Sequence, residues 1–114
     1  MVGKAVQNSI KSGIVKRADL FVTTKIFHNE YHDVEGALKA SLKRLKMDYV
    51  DLYLIHWPNN FFTDKKNQMP MHVLWAKMEK MVEKGLTRAI GLSNFNTLIT
   101  ADILTYAKIP PACN

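Results

Sequence analysis

Apolar and polar positions follow two patterns along the chain, one typical of amphipathic helices and one typical of buried strands. Four segments show the helical pattern. Gly13 marks the end of the first, Asp33 can cap the start of the second, and Gly85 closes the third. The predicted helix faces are Val2, Ala5, Val6, Ser9 and Ile10; Val34, Ala37, Leu38, Ser41, Leu42 and Leu45; Leu74, Met78, Met81 and Val82; and Leu98, Ile99, Ile103 and Tyr106.

Short apolar segments rich in β-branched and aromatic residues lie between the predicted helices. They are DLFVTTK at 19–25, YVDLYLIHW at 49–57 and TRAIGLSNF at 87–95, and the closing PPACN looks like the opening of another strand. Since each strand is followed by an amphipathic helix, we expect parallel pairing with right-handed crossovers. Two architectures have such pairing, an open doubly wound sheet and a (β/α)8 barrel. No strand is followed by G-x-G-x-x-G, the dinucleotide-binding motif of the doubly wound sheet, so the barrel is favoured. A polar loop with two phenylalanines, at 59–70, is long enough to suggest a functional role.

Polar groups follow the three predicted strands at the points where the strands end. They are Lys25, then His56 with Trp57, then Ser93 with Asn94. Taken singly, the lysine suits a snorkelling side chain, the histidine a hydrogen-bonded structural residue, and the serine–asparagine pair a helix cap. Because chemistry gathers at the carboxyl ends of parallel strands, their joint placement favours a site for a carbonyl substrate beside an aromatic cofactor.

Four motifs make the chain similar to a known family. LFVTTKIF, DYVDLYLIHWP, MEKMVEKGLTRAIGLSNFN and the closing PACN resemble the aldo-keto reductase family in their order and separations. The resemblance implies an α/β fold, a partial (β/α)8 TIM barrel with parallel strands and alternating helices, incomplete at both ends. Residues 1–114 would form this single domain from about three βα units, a leading helix and the start of another strand. It also implies an NADPH-dependent oxidoreductase that transfers hydride to an aldehyde or ketone.

The resemblance assigns roles to residues that lie at the strand ends. Lys25 matches the family's active-site lysine, which lowers the pKa of a tyrosine proton donor, because a nearby cation stabilises phenolate. His56 matches the histidine that orients the carbonyl oxygen and shares the proton transfer. Trp57 would wall the substrate pocket, and Phe27 would line it where the family often has a tryptophan.

The resemblance also assigns a cofactor-binding pair. Ser93 and Asn94 match the residues that bind the nicotinamide carboxamide and fix which face of the ring presents hydride. The family's catalytic tyrosine and its aspartate partner would precede Val2, and its nicotinamide-contacting glutamine would follow Asn114. We therefore expect the chain by itself to be inactive and to bind NADPH weakly. The alternative is a non-catalytic structural or interaction subunit, with a partner protein that covers the open barrel edges.

Charge and composition change this interpretation little. The net charge of +6 comes from basic residues whose spacing fits two solvated helix faces, and no nucleic-acid recognition motif accompanies them. The basic residues are Lys39, Lys43, Arg44 and Lys46 on the second helix and Lys77, Lys80 and Lys84 on the third.

The remaining composition excludes several classes of protein. No apolar run is long enough to cross a bilayer and no signal-peptide core opens the chain, so no membrane segment is expected. The single cysteine, Cys113, excludes an internal disulfide, is expected to pack as a small apolar group, and points to a reducing, cytoplasmic compartment. His28 and His32 flank Glu30, but their order differs from the H-E-x-x-H of a zinc helix, so no metal site is expected.

Overall fold

Helices and strands alternate along the chain. The structure, a computed structural model, describes residues 1–58, 65 and 68–114; most of the predicted loop at 59–70 lies outside the described residues. No helix in the described part of the chain is long and apolar enough to span a membrane. The elements are α1 (Val2–Lys11), β1 (Thr23–Ile26), α2 (Val34–Leu45), β2 (Val50–Ile55), α3 (Met71–Glu83), β3 (Thr87–Leu92) and α4 (Thr97–Tyr106), with 3₁₀ turns at Arg17–Asp19 and His28–Asp33.

The strands form a parallel sheet in the order β1-β2-β3, which confirms the predicted strand direction. Ile55 is the partner of Ile26 on one side and of Leu92 on the other. The final residues bind along β3: the Ala112 N–H donates to the Ile90 carbonyl at 2.8 Å, and the Leu92 N–H donates to the Cys113 carbonyl at 2.9 Å. The closing segment forms no regular strand within the described residues, so the opening of another strand there stays a prediction.

Helices α2, α3 and α4 form the core with one face of the sheet, whereas α1 packs on α2 and leaves Val2 of its predicted face exposed. Trp75 of α3 is fully buried in this core, and its indole N–H donates to the Ile109 carbonyl at 3.1 Å. Because side chains alternate along a strand, the opposite face carries Lys25, Leu54 and His56. The buried cluster contains Ile26, Tyr31, Val34, Leu38, Leu42, Val50, Tyr53, Ile55, Leu74, Trp75, Met78, Met81, Ile90, Leu92, Phe95 and Ile103.

Three of the predicted helix boundaries are confirmed. The Asp33 carboxylate accepts a hydrogen bond from the Gly36 N–H at 2.9 Å, so it caps α2. Gly13 and Gly85 follow the ends of α1 and α3 with φ values of 77° and 73°, a backbone conformation that suits glycine.

Two of the local predictions are wrong. The first strand begins at Thr23, after a 3₁₀ turn in which the Asp19 carboxylate accepts the Lys16 N–H at 3.0 Å. Asn96, rather than Ser93 or Asn94, caps α4, because its side-chain oxygen accepts the Ile99 N–H at 2.8 Å.

The predicted burial of Cys113 is also wrong. Its side chain is exposed, because the segment lies at the edge of the described sheet and the sulfur sits over Gly91 on the face away from the helices. The predicted exposure of the basic residues is confirmed at two positions. Lys39 and Lys84 are exposed and pair with the Glu35 carboxylate at 3.0 and 2.8 Å.

An ion pair joins the start of β2 to the segment that leads into β1. The Asp51 carboxylate accepts hydrogen bonds from the Arg17 guanidinium and from the Val22 N–H, each at 2.9 Å. Burial alone would raise the pKa of Asp51, but these two hydrogen bonds and the charges of Arg17 and Arg88 outweigh it and lower the pKa. The ionised carboxylate thus holds β1 and β2 in their observed alignment.

Candidate active site

The parallel register brings the predicted site residues to one edge of the sheet. Beyond the paired positions Ile26, Ile55 and Leu92, the next residues on the three strands are Phe27, His56 and Ser93. Lys25 precedes Phe27 by two residues and so lies on the same face of β1, where its side chain is exposed. The three strands therefore end at the same edge of the sheet, and we call this edge the mouth of the candidate site.

His56 lies between two aromatic rings. The Phe27 ring meets the imidazole edge-on at a centroid distance of 5.0 Å, and the Trp57 ring lies tilted at 5.6 Å. Burial lowers the pKa of His56, and the charges of Lys25 and His28 lower it further. The imidazole is therefore neutral at pH 7, with one N–H that can donate to an oxygen.

One nitrogen of this imidazole has no partner in the part of the chain that the structure describes. The Nδ1 atom of His56 is buried and makes no hydrogen bond there. A buried polar atom without a partner is uncommon in native proteins, and a ligand or water that binds it is one explanation. The phenylalanine and tryptophan beside it are each about half exposed, at 50% for Phe27 and 47% for Trp57, so their rings form a wall that a ligand can reach.

Asn94 faces the backbone of the neighbouring strand. Its Nδ2 donates to the His56 carbonyl at 2.9 Å and to the Ser93 hydroxyl oxygen at 3.2 Å. Because a carbonyl only accepts, this contact fixes which side of the amide is nitrogen. Asn94 adopts a left-handed backbone with φ 63°, which asparagine tolerates better than most residues.

This orientation leaves two complementary groups available. The Asn94 amide oxygen makes no hydrogen bond to another described residue, and the Ser93 hydroxyl, which accepts from the amide nitrogen, keeps its proton free to donate. A primary carboxamide has one acceptor oxygen and donor N–H groups, so it matches this pair. The hydroxyl donor of Ser93 and the oxygen acceptor of Asn94 therefore fit the carboxamide group of a nicotinamide.

Tyr31 is a site residue that the sequence did not reveal. It lies in the His28–Asp33 turn, its ring is 1% exposed, and its hydroxyl donates to the Trp57 carbonyl at 2.6 Å. Burial raises the pKa of Tyr31 to about 12, although the hydrogen bond to the Trp57 backbone works in the opposite direction. The phenol is thus a hydrogen-bond donor that stays protonated.

None of the other three tyrosines lies at this mouth. Tyr49 stacks between the guanidinium groups of Arg17 and Arg88, at 4.1 and 4.6 Å. Burial raises the pKa of both Tyr53 and Tyr106, and neither contacts Lys25 or His56 through a hydrogen bond or ring contact among the described residues. A phenol able to serve these two groups as proton donor is therefore not found among the chain's own tyrosines.

The described residues contain no group of three or more histidine, cysteine, aspartate or glutamate side chains that could hold a metal ion. The His28–Asp33 segment is a 3₁₀ turn, so its histidines do not lie one α-helical turn apart.

Comparison with known proteins gives consistent matches over nearly the whole chain. The model of the aldo/keto reductase family matches residues 1–114. Aldo-keto reductase family 1 member A1 of chicken is 42% identical over 132 aligned positions, which cover 97% of this chain and 38% of the chicken protein. The NADP-dependent D-sorbitol-6-phosphate dehydrogenase of apple is 39% identical, over 97% of this chain and 41% of the apple protein.

The solved structures agree with these matches. An aldo-keto reductase of the silkworm superposes with a TM-score of 0.90 at 42% identity, over 97% of this chain and 35% of the silkworm chain. A structure of the same aldo-keto reductase complexed with NADPH matches equally well, with a TM-score of 0.90. The chain thus spans about two fifths of the length of its curated relatives.

Proposed function

The chain belongs to the aldo-keto reductase family, and from that premise we propose that it carries part of the active site of an NADPH-dependent reductase of aldehydes or ketones. The observation that carries the proposal is the hydrogen-bonded pair Ser93 and Asn94, which lies beside a neutral His56 and keeps a hydroxyl proton and an amide oxygen available. The apple relative is named as NADP-dependent and the silkworm protein was solved with NADPH, which supports the choice of cofactor.

Each strand exit contributes one part of the chemistry. When bound, NADPH supplies the hydride that reduces the carbonyl carbon. The pair Ser93 and Asn94 holds the carboxamide, which orients the nicotinamide ring. The neutral imidazole of His56 donates a hydrogen bond to the carbonyl oxygen, where negative charge develops. The Lys25 ammonium lowers the pKa of the phenol that protonates this oxygen.

We further propose that the 114-residue chain alone does not reduce carbonyls. None of its four tyrosines makes a hydrogen bond or ring contact with Lys25 among the described residues, so the reaction requires a phenol that these 114 residues do not place there. The alternative function, a structural subunit that binds a partner protein and no cofactor, predicts that these strand-exit residues can be replaced without consequence for turnover.

A chimera separates the two functions. Residues 1–114 replace the matching segment of the chicken relative, which supplies the rest of the fold, and NADPH oxidation is followed with an aldehyde substrate. We expect the chimera to turn over, the isolated chain not to, and Lys25→Met to lower kcat by about 10²–10⁴-fold. Lys80→Met, which removes an exposed lysine of α3, is the matched control and should leave kcat unchanged. Full activity of the Lys25→Met chimera would overturn the proposal.

A further inference from the structure

We propose that Tyr31 and Asn94 are positioning residues that fix His56 by binding two successive backbone carbonyls, those of His56 and Trp57. The inference rests on the proposed function, since it takes His56 as the group that contacts the substrate carbonyl. We call this pair of side-chain contacts the β2-exit clamp.

The need for a clamp arises where β2 leaves the sheet. The strand ends at Ile55, and the last backbone contact beyond it is the His56 N–H donating to the Ile26 carbonyl at 3.2 Å. The carbonyls of His56 and Trp57 then have no backbone partner among the described residues, and each accepts a side-chain hydrogen bond instead. The functional dipeptide is therefore held by side chains rather than by the ladder.

The two contacts come from opposite sides of β2. Tyr31 belongs to the turn that follows β1, whereas Asn94 belongs to the exit of β3. The phenol contact, at 2.6 Å, is short for an O–H···O hydrogen bond, and the ring that carries it is fully buried. A donor on a buried ring with few rotamers holds its acceptor more rigidly than an exposed flexible side chain does.

The turn that carries Tyr31 is itself fixed. The Glu30 carboxylate accepts the Phe27 N–H at 3.3 Å at the start of the turn, and Asp33 caps α2 at its end. Phe27, which directly precedes the turn, packs edge-on against His56. The turn therefore determines the position of the Phe27 ring and of the Tyr31 hydroxyl that binds the Trp57 carbonyl. The clamp thus links the backbone position of the dipeptide to the surroundings of the imidazole.

Asn94 gives the clamp a second role. Its nitrogen binds the His56 carbonyl, while its oxygen belongs to the pair that fits the carboxamide. One planar amide therefore connects the cofactor-binding position to the backbone of the histidine. A shift of the carboxamide is transmitted to His56 through a single rigid group.

The imidazole pKa reports on the clamp without requiring any enzymatic activity. Loss of the Tyr31 hydroxyl frees the Trp57 backbone, moves the indole away from His56 and admits water to the imidazole. Since burial is the main cause of the lowered His56 pKa, hydration raises it. The other charged groups that act on the imidazole are Lys25 on β1 and His28 in the turn, and the substitution removes neither.

The test is a pH titration of the histidine ring signals by NMR in the 114-residue chain. Tyr31→Phe should raise the His56 pKa toward its ordinary value. Tyr106→Phe is the matched control, because it removes another phenolic hydroxyl, one that is buried and makes no hydrogen bond within the described residues. We expect the control to titrate as the unsubstituted chain does.

A second variant gives an independent measurement. Asn94→Gly removes the amide donor but tolerates the left-handed backbone at φ 63°, and it too should raise the His56 pKa. An unchanged His56 pKa in folded Tyr31→Phe, or in folded Asn94→Gly if the tyrosine variant does not fold, would overturn the clamp. That result would leave the proposed function standing, because the latter is decided by the turnover of the Lys25→Met chimera.

Discussion

The replacement Asp51→Asn tests whether an ionised carboxylate holds the strands in register. Asp51 is only 10% exposed at its side chain, and one of its oxygens accepts both the Arg17 guanidinium and the Val22 N–H at 2.9 Å. Asparagine keeps the shape but removes the charge. It also presents either an uncharged oxygen or an N–H to these two donors.

The magnitude follows from the two hydrogen bonds and their charge. Hydrogen bonds to charged groups contribute about 1.5–3 kcal/mol each, and a partly buried guanidinium that loses its charged partner adds a smaller desolvation penalty. Arg17 keeps part of its stabilisation, because it also donates to the carbonyls of Leu20 and Tyr49 at 3.0 Å and remains 21% exposed. We therefore expect the free energy of unfolding to fall by about 2–3 kcal/mol at pH 7.

The pH dependence distinguishes charge from packing. The folded-state pKa of Asp51 is lowered below its unfolded value of about 4. The carboxylate's stabilisation is therefore fully present above that unfolded value and is lost as the pH falls through the folded pKa. The difference in unfolding free energy between the unsubstituted chain and the Asp51→Asn variant should accordingly shrink as the pH falls below about 4.

Urea unfolding followed by circular dichroism, at pH 7 and at pH 3, measures both quantities. Asp48→Asn, at an exposed position three residues earlier, is the control and should change the stability at pH 7 by less than about 0.5 kcal/mol. If Asp51→Asn costs the same free energy at both pH values, ionisation does not contribute and our reasoning about the strand alignment is refuted.

Two further substitutions test how the helices are held. A Cβ on Gly3 would clash with the Arg44 carbonyl oxygen of α2. Gly3→Ala should therefore weaken the packing of α1 on α2 and lower the free energy of unfolding by about 1–3 kcal/mol. Unchanged amide hydrogen exchange in α1 would contradict this prediction. The buried Glu79 carboxylate accepts the N–H groups of Lys108 and Ile109, both at 2.7 Å, so Glu79→Ala should cost about 2 kcal/mol and accelerate exchange of these two amides. Protection equal to that of the unsubstituted chain would show that the carboxylate does not hold this segment.

The element types were predictable because each depends on residues close together in sequence. The buried faces of α2 and α3, the cap at Asp33 and the strand character of 50–55 follow from local periodicity and side-chain chemistry. The predicted faces of α1 and α4 are partly wrong, because Val2 and Leu98 are exposed. The start of β1 could not be predicted, because the turn at Asp19 interrupts the segment 19–25 whose apolar pattern indicates a strand. The cap of α4 was misplaced by two or three residues, since Ser93, Asn94 and Asn96 are all cap formers and only geometry selects among them.

The candidate site was predictable as far as strand direction determines it. Parallel pairing alone brings Lys25, His56 and Ser93 to one edge, and the register confirms that placement. The contact between Tyr31 and the Trp57 carbonyl was not predictable. It joins residues 26 positions apart through the packing of a turn against a strand exit, and no spacing or composition signals it.

We propose that Lys25 and His56 act on the same reacting carbonyl, and a double-substitution cycle in the chimera is the decisive measurement. The kcat values of Lys25→Met, His56→Gln and the double variant are compared with the unsubstituted chimera, each variant being checked for folding. Groups that serve one transition state are not additive. We predict that each single substitution lowers kcat by about 10²-fold or more and that the double variant is little slower than the slower single one. Single variants with unimpaired kcat, or a double variant slowed by the product of the two single effects, would contradict this shared role.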